Sequence, residues 1–165
     1  MSIKHRVKDA LYLWEDERYE GALLNILVAI AATARLRYPN RQEKDGIVFQ
    51  RFLKESLSED INSEDINVEF RGKKVSLEKI FYIWLRNMLI HEGVMPPDIK
   101  FIQVEDLDAL IVWQPKPPNK VLKLSDNWFD KLVNIVVSAP ENKKELDGFE
   151  YLKICKIENS NKILF

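Results

Sequence analysis

Apolar positions recur at helical spacing almost from the first residue. Val7, Leu11 and Trp14, with Ala10 beside them, predict a helix from about Lys4 to Glu15, closed by the charged cluster Glu15, Asp16, Glu17 and Arg18. Tyr19 to Arg37 is apolar on nearly every side and meets no proline before Pro39, so it predicts a helix in the middle of a bundle or against a second subunit. Asn40 to Gly46 is polar and reads as an exposed connection. A third helix is expected from Ile47 to Leu57 with Phe49, Phe52 and Leu53 inward, followed by an acidic loop from Ser58. Val68, Phe70 and Val75 then alternate around Arg71, Gly72, Lys73 and Lys74, which predicts a small hairpin over Asn67 to Ser76.

The best-punctuated helix follows, from Ser76 to Gly93. Ser76 is placed to cap it, Glu78 suits its positive end, and Gly93 suits the C′ position ahead of Pro96 and Pro97. Leu77, Ile80, Phe81, Trp84, Leu85 and Met88 form its apolar stripe, which leaves Arg86, Asn87 and His91 unexplained by packing. Beyond Pro96 the texture turns strand-like over Lys100 to Val104, Ala109 to Trp113 and Lys120 to Leu124. Ser125 is placed to cap a last helix through Val137, with Trp128, Leu132, Ile135 and Val136 inward and Pro140 as its stop. In the tail, Tyr151, Ile154 and Ile157 can pack in either a strand or a helix.

These elements predict a mainly α protein, a bundle of about four to five helices with a small β-containing C-terminal elaboration. A chain of 165 residues with 46% hydrophobic content fits one domain. Residues 1–95 would form the helical core with the key helix over 76–92, and residues 96–165 the strands, last helix and tail. With 25 basic against 26 acidic residues, no global field advertises nucleic acid or membrane, although a local basic site remains open. One cysteine, Cys155, precludes an internal disulfide and suits a reducing compartment, where it reads as a small buried hydrophobe. The run from Ala22 to Ala34 is shorter than a bilayer requires, and the N-terminus lacks a signal-peptide core, so a soluble, cytoplasmic protein is expected.

Several chemistries lack their residues. There is no GxGxxG, no GxxxxGK[ST] and no GxSxG, and the segment after His91 lacks the second histidine of HExxH. No cofactor or metal is expected. Acidic clusters such as Glu15 to Glu17 and Ser63 to Asp65 read as solvated turns. What remains is Arg86-Asn87-x-x-x-His91 near a helix end. At about 100° per residue, Asn87 and His91 share an edge while Arg86 stands about 140° from His91, too far to form a compact site with it alone. Two copies across a symmetry axis would put two histidines and two arginines in one cleft. Such a cleft suits RNA cleavage by the RNA's own 2′-hydroxyl, with imidazole as base and acid and arginine gripping the phosphate. Asn87 would orient the histidine or a phosphate oxygen.

This RNxxxH signature, near the end of a long helix in a small helical protein, resembles the HEPN superfamily with its R-x4–6-H motif. The resemblance spans roughly Val7 to Gly93. It implies a dimerising helical bundle, a composite cleft built from both motif helices, and metal-independent endoribonuclease activity in active members. It further implies a toxin–antitoxin or other defence role, often beside a nucleotidyltransferase-like antitoxin. Arg86, Asn87 and His91 match the motif positions.

Other residues invite plainer readings. Arg35, Arg37, Arg41 and Lys44, near the end of the second helix, are candidate RNA contacts or solvated surface. Trp14, Trp84, Trp113 and Trp128 read as core or interface anchors in preference to base-stacking platforms. Two further functional readings stand against the ribonuclease. One is a catalytically inactive HEPN module that binds a nucleotide, an RNA or a partner protein. The other is a structural dimer, which requires Arg86 and His91 to be buried in ion pairs.

Overall fold

The computed structural model describes residues 2–61, 66–106, 109–118, 120–149 and 163–164. The protein is mainly α with a small β part. Helices α1 (Ile3–Glu15), α2 (Tyr19–Arg37) and α3 (Asp45–Ile61) are followed by the hairpin β1 (Asn67–Phe70) and β2 (Lys73–Ser76). Next comes a composite helix of α4 (Leu77–Lys79), a π-helical stretch Ile80–Arg86 and α5 (Asn87–His91), called the motif helix below. Strands β3 (Ile99–Ile102), β4 (Leu110–Trp113) and β5 (Leu122–Ser125) lead into α6 (Asn127–Ser138), and β6 (Ile163–Leu164) closes the chain.

α2 is the axis of the fold, because its all-round apolar surface needs neighbours on every side. It packs against α1, α3, α6 and the motif helix. By length and composition it could cross a membrane, but here it has the setting of a core helix, with Leu23, Ile26, Leu27 and Ile30 fully buried among those neighbours. Asn25, the polar residue inside its greasy run, is satisfied locally. Its Oδ1 accepts from Arg6 Nη1 at 2.7 Å and its Nδ2 donates to the Gly21 carbonyl at 2.9 Å.

One contiguous core runs from Ile3 to Ala139, so the change in texture at Pro96 is no boundary in packing. α6 completes the bundle: Trp128 lies 6.0 Å from Phe81 of the motif helix, and Phe129 stacks on Trp14 of α1 at 4.0 Å. The larger sheet has the order β3-β5-β4-β6, with β3 parallel to β5, β4 antiparallel to β5, and β6 parallel to β4.

Three expectations need correction. α3 begins at Asp45 and runs to Ile61, so it takes in residues expected in both flanking loops. Asp45 adds a favourable negative charge to its first turn. Ser76 occupies the N-cap position without a capping side-chain bond, and the Leu77 N–H is satisfied by the Ile66 carbonyl at 2.8 Å. Ser125 caps nothing either: it ends β5, and its hydroxyl bridges the Ile111 N–H and the Ala109 carbonyl. The hairpin spans the expected residues, pairs Asn67 with Ser76, and turns at Arg71 and Gly72. Both have positive φ, 51° and 74°, the backbone of a tight two-residue turn. Cys155, Tyr151, Ile154, Ile157 and the Ser63 to Asp65 cluster lie outside the described residues.

Candidate functional site

The motif helix is not α-helical throughout. At its widened stretch the Asn87 N–H reaches the Tyr82 carbonyl, five residues back. Three large aromatics in this segment engage three different neighbours. Phe81 meets Trp128 of α6, Tyr82 meets Phe49 of α3 at 5.2 Å, and Trp84 meets Phe70 of the hairpin edge-on at 5.3 Å. A wider turn splays those rings apart, which an α-periodic reading does not foresee.

Arg86 closes the π-helical stretch and Asn87 opens α5. The guanidinium lies over the Tyr82 ring, 5.2 Å from its centroid, and its Nη1 donates to Asn87 Oδ1 at 3.0 Å. Its Nε–H is buried and has no acceptor among the described residues. Among the described residues no carboxylate pairs with it. Among the described residues Arg86 is therefore a half-buried cation held by a ring and an amide, without a counter-ion. Asn87 is engaged with Arg86 instead of His91.

His91 is exposed in the last turn of α5, ahead of Gly93, whose φ of 74° ends the helix. Asn87, Ile90 and His91 fall within about 100° of helical arc, so the polar pair shares a face with an exposed isoleucine. Ile83, Ile90 and Val94 are 37, 43 and 53% exposed, which leaves apolar surface around the motif that no described residue covers.

Tyr82 and Gly46 were missed in the sequence. Tyr82 precedes Arg86 by four residues, the spacing at which a ring and a cation meet on a helix, and that signal was available. Gly46 lies inside α3 against the Tyr82 ring, and not in the exposed connection that the polar run Asn40 to Gly46 predicts.

The four candidate RNA contacts divide. Arg35 Nε donates to Asp45 Oδ1 at 2.7 Å, and its Nη1 and Nη2 donate to the Asn40 and Glu43 carbonyls. Arg37 forms a fork with Glu141 at 2.7 and 3.1 Å and sits over the Phe52 ring. That bond raises the Arg37 pKa further and holds the Glu141 carboxyl below its usual range. Both arginines thus serve the structure. Arg41 and Lys44 are exposed, with no ion pair among the described residues, and Arg41 borders a cavity of about 390 Å³ with Arg35, Pro39 and Asp45. Contacts run from Arg35 to Asp45, through Gly46 to Tyr82, and so to Arg86. This end of α2 and the motif helix are therefore structurally joined.

Among the described residues, no three His, Cys, Asp or Glu side chains converge as a metal site. The family model described as Rv1289 matches residues 2–161. No curated protein and no solved structure matches the chain.

Proposed function

The chain belongs to the Rv1289 family, and for this member we propose a metal-independent endoribonuclease of HEPN type, acting as a homodimer with a composite active site. The observation that carries this reading is Arg86, half-buried, oriented on Tyr82 and Asn87, and lacking a carboxylate partner among the described residues. A cation in that state is prepared for an anion from outside, and a scissile phosphate supplies one. The exposure of His91 and the absence of an ion pair on either residue among the described residues weigh against the structural-dimer reading. The uncovered Ile83, Ile90 and Val94 favour a second copy, whose own motif helix would complete the cleft.

In this mechanism one His91 takes the proton from the RNA 2′-hydroxyl, and the resulting oxygen attacks the adjacent phosphorus. The bond to the 5′-oxygen breaks, and that oxygen receives a proton from the second copy of His91. The products are a 2′,3′-cyclic phosphate and a 5′-hydroxyl. Arg86 stabilises the charge that builds on the phosphate, and Asn87 fixes the guanidinium plane. A cytoplasmic toxin–antitoxin or defence role, with a nucleotidyltransferase-like antitoxin as partner, belongs to the same proposal.

The catalytically inactive reading, a HEPN module that binds a nucleotide, an RNA or a protein, draws support from Asn87, which faces Arg86 and leaves His91 unoriented. One experiment separates the two. The purified chain should cut RNA in EDTA and leave cyclic phosphate ends, and His91→Ala should cut at least ~10²-fold more slowly. Because His91 is exposed, the variant should keep its fold. Cleavage by His91→Ala at the parental rate overturns the proposal.

A further inference from the structure

Away from the motif face, the β1–β2 hairpin and the connection between β4 and β5 enclose two adjoining cavities of about 670 and 610 Å³. They share Glu69, Pro115 and Lys116 and so form one continuous trough. Its walls are fixed to each other by the Glu69 N–H, which donates to Gln114 Oε1 at 2.9 Å, and the hairpin turn is held from outside the trough by Asp98, onto which Arg71 forks at 2.7 and 3.0 Å. A trough braced in this way is largely formed before anything enters it.

Its chemistry is lopsided. Lys116, Lys120 and Lys123 line it, and none has an ion pair among the described residues. Arg71 is neutralised by Asp98, which leaves Glu69 as the only acidic side chain against those lysines among the described residues. Trp113 lies directly opposite Lys123 in the β4–β5 register and lines the same trough. The other tryptophans are occupied: Trp128 is fully buried, Trp14 stacks on Phe129, and Trp84 meets Phe70. Trp113 is half-buried and has no ring partner among the described residues.

An open aromatic face beside unpaired lysines, in a trough longer than one base requires, fits a strand whose bases are unstacked. Duplex RNA keeps its bases paired and stacked and could not use the ring. We propose that this trough binds single-stranded RNA, with a base on Trp113 and backbone phosphates along Lys116, Lys120 and Lys123. The inference rests on the ribonuclease reading and names how that substrate is held outside the cleavage site. The trough also touches the motif helix, since Arg71 at its rim lies 6.0 Å from the Trp84 ring, two residues before Arg86.

The test uses the full chain carrying His91→Ala, so that binding is read without cleavage. A fluorescently labelled unstructured ten-nucleotide RNA is titrated by anisotropy over a range of salt, with a duplex of the same strand alongside. Lys116→Glu with Lys120→Glu should weaken single-strand binding at least tenfold and flatten the salt dependence by roughly 0.7 per lost contact. Trp113→Ala should weaken it about tenfold, while Trp113→Phe, which retains a ring and guards against misfolding, should restore most of the affinity. Unchanged affinity in both the lysine and the tryptophan variants overturns the trough, as does absence of RNA binding by the parental chain. Tighter binding of the duplex overturns the single-strand assignment. If binding depends on the trough but the parental chain never cuts, the inference stands and the ribonuclease reading fails. If the chain cuts RNA while trough variants bind and cut normally, the inference alone fails.

Discussion

Gly46 and Tyr82 approach so closely that a Cβ on Gly46 would lie 2.6 Å from Tyr82 Cε1. The ring has little room to retreat, with Phe49 on one side and the Arg86 guanidinium over its face. Gly46→Ala gains up to about 1 kcal/mol of helix propensity and sets it against a displaced ring, a conflict that typically costs about 1–3 kcal/mol. Net destabilisation is expected, together with a loss of RNA cleavage as Arg86 loses its platform. In a Tyr82→Ala background the same substitution should be neutral or stabilising. A double-mutant cycle in urea measures the coupling, and strict additivity would show that the contact is not constraining.

Arg86 should show opposite signs in stability and function. A half-buried cation without a counter-ion is costly, and replacing it with an apolar side chain of similar length removes that cost. Arg86→Met is expected to leave the midpoint of thermal unfolding unchanged or raised while abolishing cleavage. Marked destabilisation would mean that the guanidinium serves the fold, through Tyr82 and Asn87, more than it serves a phosphate.

These two residues also show what can be read from a sequence. The motif helix and its ending at Gly93 are local properties of the chain, and the first part of its inward stripe follows from periodicity, with Leu77, Ile80, Phe81 and Leu85 buried. Past the widened turn the phase slips by one, so Leu89 and not Met88 is buried. α2 is legible for the same reason, with both ends where composition puts them. Hidden from the sequence were the features set by partners distant in the chain. The π-helical widening depends on Phe81, Tyr82 and Trp84 each finding a ring elsewhere, and the commitment of Arg37 depends on Glu141. The roles of Ser76 and Ser125 are hidden for the same reason, because a serine before a helix resembles a cap until the backbone around it supplies a different partner.

Acid should weaken the fold through Glu141. Its carboxyl is held below the ordinary glutamate value of 4.5, chiefly by the hydrogen bond from Arg37. A group depressed in the folded state contributes stability that is fully present above its unfolded value and is lost as pH falls through the folded one. Asp98, lowered by Arg71, and Glu145, lowered by the Lys4 N–H and the Ser2 hydroxyl, act in the same direction. Asp126, raised by burial, acts in the other. Glu141→Gln should cost about 1–2 kcal/mol at pH 7 and less at pH 3, because the advantage of the parental carboxylate shrinks as pH falls below the ordinary glutamate value. Urea unfolding at the two pH values measures this, and a constant difference would remove Glu141 from the acid response.

The β4–β5 pairing depends on a side chain. The backbone register covers only Val112 opposite Leu124 and Trp113 opposite Lys123. One residue further along, the Ser125 hydroxyl substitutes for a strand by accepting from the Ile111 N–H at 3.0 Å and donating to the Ala109 carbonyl at 3.1 Å. Ser125 is fully buried and the bond it accepts is part-buried, so Ser125→Ala leaves the Ile111 N–H without its partner in a partly screened site. The Ala109 carbonyl is affected less, because Asn127 Nδ2 also donates to it at 2.9 Å. The expected cost is about 1–3 kcal/mol, the usual penalty for one buried donor left unpaired. Hydrogen exchange localises the effect: the Ile111 amide should lose protection by at least tenfold, while amides inside α2 change only with the global stability. Equal loss across both elements would mean that the sheet and the bundle open together, and that Ser125 braces the whole core instead of one edge of the trough-bearing sheet.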